Sequence, residues 1–197
     1  VRLDRQQMLM HGLPCLAVGK IELFSIAQEN VVLVDTLLVN HGLAIVQGIA
    51  QRHLAADALN RAHNPLYPFD VAKLLAQNGL IGITIPKADG GQGGNLVDAV
   101  LAIEQIALVC PRSADVVQSG NFGPFRTFAE YASPVQKEKY FPQLLAGQSI
   151  IALGMTEPDA GSAVTDLTTS ATKDGSGYRI NGSKIFTSNS LDAELFL

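Results

Sequence analysis

The chain has 197 residues, 47% of them hydrophobic and 16% charged, with a formal net charge of −4, which is enough apolar material for a buried core and too much for a disordered segment. The acidic balance and the scattered lysines and arginines exclude an electrostatic nucleic-acid binder, the one tight group, Lys137-Glu138-Lys139, reading as a solvated helix face. Cys15 and Cys110 are too far apart in sequence for a CxxC site, and His11, His41, His53 and His63 lack ligand-like i, i+4 spacing, so neither a disulfide framework nor a metal site is expected and a reducing cytoplasm is the default.

Residues 1–45 carry no assignable pattern. Val31 to Val34 and Thr36 to Val39 are apolar runs that fit a strand or a buried helix equally. The most apolar window, residues 31–50, is interrupted by Asp35, Asn40, His41 and Gln47, which are costly in hydrocarbon, so no membrane span is expected. No basic, apolar and small-residue succession of a secretory leader is visible.

From about Ile45 the pattern is helical, first over 47–60. Pro65 and Pro68 break it. A second helix follows from Asp70 through Val71, Leu74 and Leu75 to Gly79, placed as a C′ glycine. Leu80 to Ile85 is a short apolar run, and Asp89 to Gly94 is a glycine-dense turn. That turn lacks both the strand-G-x-G-x-x-G-helix pattern and a following Lys-Ser/Thr, so it reads as a turn and not a phosphate cradle. Leu96 to Val109 is a helix whose apolar face is read as Val97, Val100, Leu101, Glu104 and Leu108, stopped at Cys110-Pro111. A further helix starts at Gly123-Pro124 with Phe125, Phe128 and Ala129 facing the core. Ser133-Pro134-Val135-Gln136 is a capping box for another helix, running through Leu145 to Gly147.

Near Ile150 the period changes from helical to alternating. Ile150 to Leu153 is a buried run, and Leu167 to Thr172 is β-branched and polar. Turns at 174–177 and at Asn181-Gly182 lead into Tyr178–Ile180 and then Lys184–Thr187, and Glu194 to Leu197 begins another strand. The fold class is therefore α+β, with residues 1–45 unassigned, helices over 46–148 and strands over 149–197.

Two runs carry the chemistry, Met155-Thr156-Glu157-Pro158-Asp159-Ala160-Gly161-Ser162 and Asn181-Gly182-Ser183-Lys184-Ile185-Phe186-Thr187-Ser188. Turn N–H groups and hydroxyls suit the carbonyl and ring-nitrogen edge of a flavin, and an aromatic ring suits its face. Each run alone reads equally as a β-turn or a hairpin.

Together, in this order, the runs resemble the acyl-CoA dehydrogenase family. The resemblance extends from about residue 46 to the end and includes Leu74 to Gly94, Ala102-Ile103-Glu104-Gln105-Ile106-Ala107 and Leu144 to Ser149. It implies an all-helical N-terminal domain followed by the start of an antiparallel β-barrel-like middle domain, so the chain is expected to be an incomplete N-terminal part of the enzyme. It implies FAD as cofactor, bound by Leu153, Met155, Thr156, Ser162, Phe186, Thr187 and Ser188. Phe186 stands where the family usually has tryptophan, and Ser162 lies where flavin pyrophosphate and acyl-CoA meet. The implied reaction is α,β-dehydrogenation of an acyl-CoA thioester. The implied acceptor is electron-transfer flavoprotein or another electron acceptor, and the full-length protein is expected to be a homo-oligomer in the cytoplasm.

Two departures stand out. Ala163 follows Ser162 where the family commonly has aspartate, and no residue here corresponds to the family's general-base carboxylate. No catalytic residue is assigned, and the chain alone is expected to be inactive. Glu157 is read as a structural hydrogen bond or salt bridge, and Glu104 as packing or surface charge. An acyl-CoA oxidase or flavin monooxygenase of the same fold, and a non-catalytic helical interaction module, remain as alternatives.

Overall fold

The computed structural model describes residues 24–27, 30–33 and 36–197, with side chains from residue 42 onward; His11 and Cys15 lie outside the described residues. Residues 1–42 and 43–197 form two separate units. In the first, β1 (Phe24–Ala27) and β2 (Asn30–Leu33) pair antiparallel, with Phe24 opposite Leu33. The ambiguous run at 31–34 is thus strand as far as Leu33, and the run after it is helix. Helix α1 (Thr36–His53) begins at Thr36, well before the expected onset near Ile45.

In the second unit the expected single helix over 47–60 is broken. Helix α1 ends at His53, Leu54 is buried, and α2 (Ala58–Ala62) starts anew. Asp57 stands at the N-cap of α2, where its carboxylate accepts from Asn60 Nδ2 at 2.8 Å and Arg61 Nη2 at 3.5 Å, and Arg61 Nη1 donates to the Leu54 carbonyl at 3.2 Å across the break. Helix α3 (Phe69–Gln77) follows, and Gly79 beyond its C-cap takes φ 71, the left-handed position expected for it.

Residues 80–85 are largely buried without forming a strand. The fully buried Asn121 holds them, donating Nδ2 to the carbonyls of Leu80 (2.8 Å) and Val117 (2.7 Å), while the Thr84 hydroxyl donates to the Asn121 carbonyl (2.5 Å). The glycine-dense segment folds back on this stretch. The N–H groups of Gly91, Gln92, Gly93 and Gly94 donate to the carbonyls of Pro86, Gly82, Ile85 and Ile83. A Cβ on Gly91 would collide with the Ile85 backbone, so the turn needs glycine for close approach, and its amides are already used.

Helix α4 (Leu96–Ala107) is opened by a capping box between Asn95 and Asp98. Its buried face is Ala99, Leu101, Ala102 and Ile106, which corrects the expected one. Val97, Val100 and Leu108 are 45%, 52% and 70% exposed. The helix is apolar on more than one side, and the face with two alanines is the one that lets a neighbouring backbone come close. That neighbour is α5 (Pro111–Ser119), a helix the sequence reading missed by taking Pro111 only as a stop. Proline at N1 lacks an N–H at a position that has no intrahelical acceptor anyway, so it starts a helix as readily as it ends one.

Helix α6 (Pro124–Tyr131) buries Phe125, Phe128 and Ala129 as expected. Helix α7 (Pro134–Leu145) has the expected capping box, with Gln136 N donating to Ser133 Oγ at 3.3 Å and Ser133 N to Gln136 Oε1 at 2.8 Å. Phe141 of α7 packs between Phe125 (centroids 5.9 Å apart) and Phe128 (5.2 Å, edge to face).

Beyond α7 come β3 (Ile151–Ala152), β4 (Ser170–Asp174), β5 (Gly177–Asn181) and β6 (Leu195–Phe196). β4 and β5 form the expected antiparallel hairpin around the turn at 174–177. β3 and β6 run parallel, Ile151 beside Leu195, where an antiparallel arrangement was expected. The expected strand Lys184–Thr187 is absent. Gly182 (φ 151) and Phe186 (φ 56) leave the pleated region, so the segment cannot continue a ladder. Tyr67 N donates to Asp192 Oδ2 (3.2 Å), linking the helical and β parts, and within the β part Ser149 Oγ donates to Glu194 Oε2 (3.3 Å). Among the described residues no helix is long and apolar enough to cross a membrane.

Candidate functional site

The first run begins two residues beyond the end of β3, after Leu153 and Gly154, and its sharp reversal has a plain origin. Pro158 presets the second position of a turn closed by Glu157 N to Ala160 O (3.0 Å) and Ala160 N to Glu157 O (3.2 Å). The reversal turns the Glu157 side chain inward, where it is 3% exposed. Four donors converge on its carboxylate: Thr168 N (2.7 Å), Thr168 Oγ1 (2.8 Å), Thr169 N (2.9 Å) and Lys184 Nζ (2.9 Å). The Thr169 side chain, the Thr168 N–H and the Lys184 ammonium hold the carboxyl well below the usual carboxylate range, burial opposing them. Thr169 Oγ1 itself is buried beside the cluster without a well-aligned partner among the described residues. The structural role expected for Glu157 is what its contacts describe.

The second run is held against the first by Lys184 and Ile185. Lys184 Nζ also donates to the Met155 carbonyl at 2.9 Å, and Ile185 N donates to the Thr156 carbonyl at 2.9 Å. Gly182, at the head of the run, packs against Thr169 so closely that any Cβ there would strike the threonine side chain. Thr156 and Phe186 are thereby brought to neighbouring stretches of backbone. Gly154 N donates to the Leu197 carbonyl (2.8 Å), which sets the β6 end along the approach to Met155.

Of the sequence-predicted site residues, Leu153 and Met155 are 38% and 45% exposed and Phe186 is 88% exposed. Thr156 and Thr187 are half-buried, and Ser162 and Ser188 are exposed. No backbone carbonyl among the described residues accepts from the N–H groups of Met155, Thr156, Phe186, Thr187 or Ser188. Ser162 stands past the Pro158 turn, and no hydrogen bond among the described residues ties it to the second run. Sequence reasoning missed Lys184. The available signal was a lone lysine in the second run facing a lone glutamate in the first. No group of three or more metal-ligating side chains occurs among the described residues.

A family model described as acyl-CoA dehydrogenase, N-terminal domain, matches residues 43–148, and one described as acyl-CoA dehydrogenase, middle domain, matches residues 152–197. An acyl-CoA dehydrogenase of Bacillus subtilis is 30% identical over 153 residues, covering 78% of this chain and 40% of that protein. A 3-sulfinopropanoyl-CoA desulfinase of Variovorax paradoxus is 35% identical over 136 residues, covering 69% of this chain and 34% of that protein. Among solved structures, a glutaryl-CoA dehydrogenase from Mycobacterium smegmatis in complex with FADH2 superposes with a TM-score of 0.71 at 25% identity, covering 82% of this chain and 43% of that one. The chain spans less than half the length of each of these relatives.

Proposed function

The chain belongs to the acyl-CoA dehydrogenase family, and from that membership we propose that it contributes the flavin edge of an FAD-dependent enzyme catalysing α,β-dehydrogenation of an acyl-CoA thioester. The observation that carries the reading is the clamp between the two runs, which sets Thr156 beside Phe186 while leaving the N–H groups around both without a backbone acceptor among the described residues. These groups suit an isoalloxazine ring. It offers carbonyl and ring-nitrogen acceptors at its edge and a flat face for an exposed aromatic. Bound FAD would supply the hydride acceptor for the reaction.

In this reading Leu153, Met155 and Thr156 line the ring, and the Thr156 N–H and hydroxyl orient its edge. Phe186 covers a face, with Thr187 and Ser188 continuing the contact. Ser162 serves the flavin pyrophosphate and the acyl-CoA. Residues 46–148 are the helical domain and 149–197 part of the β-domain. The electron acceptor is electron-transfer flavoprotein or a similar carrier, and the working enzyme is a cytoplasmic homo-oligomer. A second reading, loss of a sulfinate group from a sulfinoacyl-CoA, is favoured by the 35% identity to the desulfinase. It uses the same thioester class and the same flavin edge.

The test is a titration of the isotopically labelled chain with FAD, read by amide resonances. The expected result is saturable shifts at Thr156, Phe186 and their neighbours. Unchanged resonances at millimolar FAD, or shifts confined to the helical part, would overturn the flavin reading. In an assay of the chain carried within a protein of its relatives' full length, oxidation of an unsubstituted acyl-CoA coupled to an artificial acceptor supports the dehydrogenase, and release of sulfite from 3-sulfinopropanoyl-CoA supports the alternative.

A further inference from the structure

Lys184 grips the first run at two points. Its ammonium lies 2.9 Å from the Met155 carbonyl oxygen and 2.9 Å from Glu157 Oε1. An ammonium is a compact three-donor charge, so both bonds are charge-assisted and a donor remains. The Glu157 carboxylate is a firm anchor, being buried and held from its other side by Thr168 and Thr169. Pulled toward that anchor, the lysine has little freedom to release Met155.

The consequence lies in the geometry of one peptide group. The Met155 carbonyl and the Thr156 N–H belong to the same planar trans unit and point in opposite directions. With the carbonyl directed at Lys184, the Thr156 N–H is directed away from it, and no backbone carbonyl among the described residues takes it up. The next peptide is fixed as well, since the Thr156 carbonyl accepts from Ile185 N and the Glu157 N–H closes the turn onto Ala160. An ammonium on the carbonyl also polarises the peptide, which makes its N–H a stronger donor. The lysine immediately precedes Ile185 and Phe186, so the same grip sets the register of the aromatic ring against Thr156.

We infer that Lys184 is a positioning residue for the flavin edge: anchored on Glu157, its ammonium holds the Met155 carbonyl and thereby presents the Thr156 N–H as an outward, polarised donor beside Phe186. The inference rests on the flavin reading above. It assigns Lys184 no contact with substrate or cofactor.

The experiment compares the unsubstituted chain with Lys184→Met, Lys184→Arg and Glu157→Gln, each titrated with FAD while amide resonances are recorded. Without FAD, Lys184→Met should displace the Thr156 amide resonance, because the carbonyl on its own peptide loses a charged donor, while core amides such as that of Ile106 stay in place. With FAD, Lys184→Met should weaken the response by about tenfold, the factor expected for one lost charge-assisted hydrogen bond. Lys184→Arg should restore most of it, and Glu157→Gln should fall between the two. A purely structural role would move Ile106 together with Thr156 and would not separate Met from Arg.

Equal FAD response in the unsubstituted chain and Lys184→Met overturns the role of Lys184 and leaves the flavin reading standing. No response in the unsubstituted chain overturns the flavin reading, and this inference with it. Should Lys184→Met fail to fold, Glu157→Gln decides: an unmoved Thr156 resonance together with unweakened FAD response overturns the inference.

Discussion

The guanidinium of Arg61 donates to the Cys110 thiol at 3.5 Å and to the Leu54 carbonyl at 3.2 Å, tying the break after α1 to the N-cap of α5. Cys110 is fully buried and Arg61 nearly so, and the Ser113 hydroxyl donates to the same sulfur at 3.0 Å. Burial pushes the thiol up, but the Ser113 hydroxyl and Arg61 outweigh it and hold it below the ordinary thiol range. Replacing Arg61 with leucine orphans the Leu54 carbonyl and removes the cation from the sulfur. The expected cost is about 2 kcal/mol, seen as a fall of several degrees in the melting temperature by circular dichroism. An unchanged melting temperature would show that solvent replaces both bonds.

Acid should loosen the site before the helices. The carboxyl of Glu157 is depressed in the folded chain by the Thr169 side chain, the Thr168 N–H and Lys184. A group depressed on folding contributes stability that is complete above its unfolded pKa, roughly 4.3 for glutamate, and that is lost as the pH falls below that value through the folded one. Between neutrality and about pH 5 this contribution should be flat, and below it the contribution should decline. Denaturant melts at pH 7, 5 and 3 test this, with Glu157→Gln expected to show a shallower fall on the acid side. Identical acid slopes in the two proteins would assign the decline to other carboxylates.

Phe186 is 88% exposed on a backbone with φ 56. A bulky residue pays about 1–2 kcal/mol for the left-handed region, which glycine does not, while glycine carries about 0.5–1 kcal/mol of extra chain entropy. Phe186→Gly should therefore leave the melting temperature within a few degrees. If the ring covers a flavin face, the same change weakens the FAD-induced shift at Thr156 by about three- to tenfold, the range for an aromatic stacking contact. A large loss of stability would mean that the ring packs in solution.

The two sides of α4 should respond oppositely to substitution. Val100 is 52% exposed, so Val100→Lys should change stability by no more than about 0.5 kcal/mol. Ile106 is fully buried, and Ile106→Ala should cost about 2–5 kcal/mol through lost burial and a residual cavity. Denaturant midpoints measure both. A marked loss for Val100→Lys would indicate that this side of the helix is covered in solution.

Features that depend on neighbours within a turn or two of backbone were legible in the chain. The capping box at Ser133 and Gln136, the Gly79 stop, the Phe125, Phe128 and Ala129 stripe and the hairpin turn at 174–177 all rest on contacts a few residues apart. The face of α4 was not legible, because valines and alanines recur on different sides of it and only the approach of α5 selects one. The α5 start at Pro111 was hidden for a related reason, since proline marks a helix end or a helix start depending on what precedes it. Phe186 stands out in the sequence as the aromatic of the second run, but the pattern around it predicts a strand, which its left-handed φ of 56 interrupts.

The sequence by itself determined the family resemblance, the change from helices to strands near Ile150 and the two runs proposed for the flavin edge, because these reside in residue types and short spacings. Only the tertiary structure decided that the runs meet, through Lys184 onto Met155 and Glu157 and through Ile185 onto Thr156. Met155 and Lys184 are 29 positions apart, and bonds between such residues depend on where the Pro158 reversal and the Gly182 bend deliver the chain. That meeting is a property of chain path and burial, which no local pattern of hydrophobicity or spacing encodes.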